Sequence, residues 1–135
     1  MRRVAALACI GMFLLVGCRD RSTPQNKSDK LCVEMGEIDG SVTQMTAYAA
    51  TGQNFDKFRA LRDKLPAQWQ DVEDASKDVT AYQINDVRTA YNKYLSTVNG
   101  VNDAATMSAK YVEIDAAAGE FATARLAAYQ SLSCA

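Results

Sequence analysis

No histidine occurs anywhere in the 135 residues. That absence removes an imidazole base, a haem axial histidine and nearly every common zinc or copper site. Two prolines and seven glycines leave little material for the turns of an all-β protein. Neither charge sign is in excess: 15 basic against 16 acidic residues give a net charge of -1, which leaves no electrostatic footprint for nucleic acid. A Gly-rich phosphate loop, a Ser-His-Asp or Cys-His set and a His-Glu metal motif are all missing as well. What is present is 48% apolar and 23% charged residues, the composition of a globular domain rather than a disordered tail. The length suffices for one domain with a real core and not for two.

The N-terminus has the dimensions of an export signal. Met1-Arg2-Arg3 is a short positive stretch, and Val4 to Val16 is an apolar run without a charge. As a helix that run would measure about 20 Å, too short for a bilayer core of about 30 Å. It matches the apolar segment of a signal peptide. Arg2-Arg3 lacks the flanking residues of a twin-arginine signal and reads as ordinary leader charge.

Leu15-Val16-Gly17-Cys18 then resembles the lipobox of bacterial lipoprotein precursors, with all four positions fitting. The resemblance covers this leader alone; the rest of the chain is not recognised as any family. It implies that residues 1–17 are removed and that Cys18 becomes an acylated N-terminus, with palmitate-class chains on its sulfur and amine. Each buried methylene contributes about 0.8 kcal/mol, so two or three chains hold a protein stably on a membrane. A plain secretory signal or an uncleaved anchor is the other reading of the same residues. Cleavage would remove Arg2 and Arg3 and no acid, leaving 13 basic against 16 acidic residues, a net charge of -3. Arg19 stands where inner-membrane lipoproteins of enterobacteria tend to carry Asp, so the resemblance implies the outer membrane in a Gram-negative cell.

On that reading Cys9 leaves with the leader and Cys18 carries lipid, so Cys32 and Cys134 remain as a pair in an oxidising compartment. Such a pair normally forms a disulfide. Two free thiols or an intermolecular bridge are the alternatives; a metal site lacks a histidine or third cysteine to complete it. Residues 18–29 are polar after the lipidated cysteine and read as a flexible tether with a standoff of about 18 Å. The folded domain is expected over residues 30–135.

Four helical patterns follow. The first places Leu31, Met35, Ile38, Val42, Met45 and Ala49 on one stripe, capped by Ser28 or Asp29 and ended by Gly52. Gly36 and Gly40 lie off this stripe, either as weak spots on an exposed face or as a place of close packing. The second starts at Asn54 and carries Phe55, Phe58, Leu61, Leu65, Trp69 and Val72, with Pro66 kinking it or dividing it. The third carries Ile84, Val87, Tyr91, Tyr94 or Leu95, and Val98, stopping at Asn99-Gly100. The fourth runs from about Asp103 through Met107, Tyr111, Ile114, Ala118 and Phe121 to Leu132.

Helix parity tests this count. Consecutive helices joined by short loops run antiparallel. Cys32, low on the first helix, meets Cys134 at the end of the last only if the number of helices is even. Three helices would leave the sulfurs about 30 Å apart, far beyond the Cα limit of about 7 Å. The expected fold is therefore an all-α, up-down-up-down four-helix bundle closed by a disulfide.

For function, an enzyme is the weakest class and no cofactor is implied. Glu113 and Asp115, or Asp71, Glu73 and Asp74, could supply carboxylates, but acids two apart on a helix do not share a face. A di-iron bundle needs Glu-x-x-His pairs, which this chain cannot form. Met35, Met45 and Met107 lie on core stripes rather than in a ligand set. A binding module leads, as an immunity or exclusion protein or an accessory subunit of an envelope complex. Its candidate anchors are Trp69, Tyr82, Tyr91 and Tyr94, residue types enriched at interfaces and also common at wet core edges. The alternative is a carrier of an apolar small molecule or lipid, with Met35, Met45, Met107, Phe58 and Phe121 lining a cavity between the helices.

Overall fold

The computed structural model describes residues 24–77, 79 and 84–134, and every regular element among them is a helix. The helices are α1 (Pro24–Thr51), α2 (Phe55–Ser76), α3 (Asn85–Asn99), α4 (Ala104–Ala109) and α5 (Tyr111–Leu132). α1 begins at Pro24, so it takes in residues that the sequence assigns to a tether. Pro suits the first turn of a helix, where an amide hydrogen would have no partner.

All six apolar positions expected on α1 are buried. The helix ends at Gly52, whose φ of 67° is left-handed and whose N–H reaches Tyr48 O at 2.9 Å. A Cβ on Gly52 would also run into the Ser108 hydroxyl, so the end of α1 meets α4 closely. Asn54 takes the N-cap of α2 at φ 61°, but through its backbone: its carbonyl accepts from Lys57 and Phe58, and its side chain makes no cap bond.

α2 runs unbroken through Pro66, an exposed residue, so the ring and the lost hydrogen bond fall on the wet side. Phe58, Leu65, Trp69 and Val72 point into the core. On α3 the buried set is Val87, Ala90, Tyr91, Tyr94 and Val98.

The expected fourth helix is two. Asp103 caps α4, accepting from Thr106 N at 2.6 Å, and that bond holds its carboxyl below the usual range. The chain then turns at Lys110 (φ -92°, ψ 5°) before α5 starts. Met107 and Ile114 are both buried and lie seven residues apart, so their periodicity passes through the break unchanged.

α1 packs along α2 and α5, α3 packs along α5, and α4 touches α1 and α5. Cys32 and Cys134 form a disulfide with Cα atoms 5.8 Å apart, tying the start of the helical body to its last turn. Beside it Tyr129 Oη donates to Cys32 O at 2.6 Å. A Cβ on Gly36 would stand 3.2 Å from that hydroxyl, so this glycine gives Tyr129 its passage, whereas nothing lies within 4 Å at Gly40. No helix among the described residues is long and apolar enough to cross a membrane.

Candidate functional site

Three of the four aromatic anchors read from the sequence lie inside the core. Trp69 and Tyr91 stack with ring centroids 4.4 Å apart and planes 10° off parallel. Tyr94 is fully buried and its hydroxyl donates to Val42 O at 3.4 Å. Tyr91 Oη is buried without a hydrogen-bond partner among the described residues. Burial, with the nearby charge of Glu73, pushes the Tyr91 phenol up to about 12. These rings consolidate the contact of α2, α3 and α1 and offer no surface to a partner. Helical spacing marks a residue as facing the core; whether its polar tip reaches water is decided by the neighbouring helix. Tyr82 and Cys18 lie outside the described residues.

Met35, Met45, Met107, Phe58 and Phe121, which the carrier alternative would place around a ligand cavity, are fully buried members of the same core. The acidic residues spread over the surface. Glu73 pairs with Arg88 at 3.1 Å and Asp74 with Lys77 at 2.6 Å. Burial, followed by the charges of Glu37 and Asp71, raises the Glu34 carboxyl. Among the described residues no group of three His, Cys, Asp or Glu side chains is placed to hold a metal ion.

The feature that the packing leaves open is the outer face of α5. Ile114, Phe121 and Ala128 face inward at heptad spacing. On the opposite side Val112, Ala116, Gly119, Thr123 and Leu126 form a second stripe, alternating four and three residues. All five are exposed, with Val112 at 75% and Leu126 at 54% of full accessibility. A helix that is apolar on both sides is normally buried on both. Among the described residues only the inner side of α5 is covered. Among the described residues the other large exposed apolar side chain, Val33, belongs to α1.

Two shallow grooves flank this stripe and share Gly119. One, toward α3, is lined by Asp86, Ala116, Gly119, Glu120, Thr123, Ala124 and Ala127. The other, toward α1, is lined by Asp39, Val42, Thr43, Thr46, Asp115, Ala118, Gly119 and Ala122. Their rims are acidic. Glu120 is held by Lys93 at 2.6 Å, and Asp39 lies 3.2 Å from Arg125 Nε. The Arg125 guanidinium also covers the Tyr129 ring at 4.7 Å, fixing it in the α1–α5 seam. Asp86 and Asp115, one in each groove, have no cation partner among the described residues.

The sequence carried a signal for this face. The run from Tyr111 to Ala128 is apolar or small at nearly every position not taken by a charge, more than one core-facing stripe needs. The alanines alone read as helix formers that allow close packing. No protein-family model, no curated protein and no solved structure matches this chain.

Proposed function

We propose that the chain is a lipid-anchored, non-enzymatic binding protein of the bacterial cell envelope, facing outside the cytoplasm. The observation that carries the binding reading is the uncovered apolar stripe of α5, from Val112 to Leu126. Exposed large apolar residues aligned with small ones along one helix face offer a surface that a partner can cover. The anchor rests on the lipobox ending at Cys18. Its partner is a protein resident in the envelope or arriving at it.

The fold in this proposal is an up-down-up-down bundle of four long helices, with α4 as a short turn leading into α5. Contacts between helices support it. Ser41 meets Gln68, Glu73 meets Arg88, Arg62 reaches Val101, and Asp39 lies by Arg125. Numbers that rise along one helix fall along its neighbour, with Glu73 at Arg88 but Arg62 at Val101 just after α3, and Cys32 at Tyr129 but Asp39 at Arg125. That is the mark of antiparallel packing for α2 with α3 and for α1 with α5.

Two measurements test the proposal. Incorporation of radiolabelled palmitate, lost in Cys18→Ser and processed only when lipoprotein signal peptidase is active, tests the anchor. A photo-crosslinking residue at Thr123, compared with one at exposed Lys57 on α2, tests the binding face in intact cells. Crosslinks to one protein from Thr123 and none from Lys57 are expected. Equal, diffuse crosslinking from both positions would defeat the binding reading.

A further inference from the structure

We infer that the partner presents an amphipathic helix carrying Lys or Arg, seated along the outer face of α5 and crossing it at Gly119. The inference rests on the reading of the chain as a binding protein and names the chemistry of its partner.

Glycine inside an exposed helix costs about 1 kcal/mol relative to alanine. Gly119 lies in the middle of α5, with no left-handed φ and nothing among the described residues within 4 Å of where a Cβ would stand. The fold of this chain therefore has no use for the missing side chain. Val112 and Leu126, the two large apolar residues of the stripe, stand seven residues to either side of it. The face thus has bulk at both ends and a low saddle between them, where a second helix backbone can approach closely. Residues four and three apart supply the seam that a helix recognises.

Charge selects among occupants. The grooves carry Asp39, Asp86, Asp115 and Glu120 against Lys93 and Arg125 paired to two of them, and the two unpaired carboxylates sit in opposite grooves. A helix laid over Gly119 with a cation on each flank reaches Asp86 on one side and Asp115 on the other. A second copy of this chain fits the apolar pattern, since antiparallel pairing about Gly119 sets Val112 against Leu126. It brings no free cation to the rim, where Lys93 and Arg125 already hold Glu120 and Asp39, so the unpaired Asp86 and Asp115 of both copies stay unmatched with like charge facing. An anionic lipid surface meets the same repulsion.

The test uses the full chain as its host processes it, held in nanodiscs of phosphatidylcholine. Two synthetic helical peptides with identical Leu/Ala seams serve as probes, one flanked by Lys and the other by Glu. Binding is read by fluorescence anisotropy, with empty nanodiscs subtracted. The Lys peptide is expected to bind, the Glu peptide to bind at least tenfold more weakly, and added salt to narrow the difference. Gly119→Leu fills the saddle and is expected to abolish binding while leaving the melting temperature equal or higher, because leucine is the better helix former and the space is open. Ala116→Arg, which adds bulk and like charge to the exposed stripe, repeats the block. Asp86→Asn and Asp115→Asn are expected to weaken the Lys peptide by about threefold to fivefold each.

Equal binding of both peptides, binding unaffected by Gly119→Leu, or no binding of either overturns the inference. So does self-association lost in Gly119→Leu, which makes a second copy the occupant. These failures are separable from failure of the binding reading. A protein crosslinked from Thr123 in cells through a segment that is not a basic helix preserves the reading and refutes only the helix.

Discussion

Removing the Cys32–Cys134 bridge should cost this protein a large part of its stability. The bridge closes a loop with a sequence separation of 102 residues, nearly the whole folded body. On the chain-entropy model a loop of that length restrains the unfolded ensemble by about 4.7 kcal/mol. Domains of this size are stable by roughly 5–15 kcal/mol, so the loss is a third of the total or more. Both cysteines are half-buried, so serine hydroxyls at the two positions reach water and add little penalty in the folded state. The bond from Tyr129 to Cys32 O does not involve the sulfurs and remains. The expected effect of Cys32→Ser/Cys134→Ser therefore lies almost wholly in the unfolded chain. With a urea m-value near 1.5 kcal/mol/M, the midpoint should fall by about 3 M. The slope m should rise, because the unlinked chain exposes more surface on unfolding. Equilibrium urea unfolding followed by circular dichroism, with and without a reducing agent on the parent protein, measures both. A midpoint drop below about 0.7 M at constant m would refute the reasoning, because the chain ends would then be constrained by something other than the bridge.

Tyr91→Phe should raise stability, by up to about 1 kcal/mol, because it removes a buried hydroxyl with no partner while keeping the stack on Trp69; a lower urea midpoint in the variant would count against this. Alkaline pH should unfold the protein. Burial raises the Tyr91 phenol to about 12 and also raises Tyr94, whereas an unfolded tyrosine ionises near 10, so their stabilisation is complete below about pH 10 and is lost on the way to 12. The last part of the tyrosinate absorbance, that of the two buried rings, should rise together with the loss of helix signal, and ionisation of all six tyrosines with helix intact would contradict it. Gly52→Ala should destabilise through its left-handed φ, by about 1–2 kcal/mol, and further through its clash with Ser108. Adding Ser108→Ala should recover the second part only, as a double-mutant cycle would read.

Much of the architecture was legible because a helix writes itself into spacing. The α1 stripe from Leu31 to Ala49 needed only the 3.6-residue period, and Gly52 needed only the rule that a left-handed residue ends a helix. The pairing of Cys32 with Cys134 was expected from redox chemistry once the leader reading had set Cys9 and Cys18 aside, which requires no coordinates. The break at Lys110 was not legible: a turn that preserves the heptad between Met107 and Ile114 leaves no trace in the pattern. Nor was the course of α2 at Pro66, because periodicity does not reveal whether the proline side meets water or a neighbour.

The candidate surface divides along the same line. Sequence chemistry picked out Trp69, Tyr91 and Tyr94 as residues able to bind, but tertiary packing spent them in the core, where α1, α2 and α3 close over them. α5 had the opposite fate. Its small residues read as ordinary packing material, and only the placement of α1 and α3 on its inner side left Val112, Gly119 and Leu126 facing water. A one-dimensional pattern determines which residues share a helix face. Which of two apolar faces is covered depends on how many neighbours the chain has to place around it, and that is settled only when the helices pack.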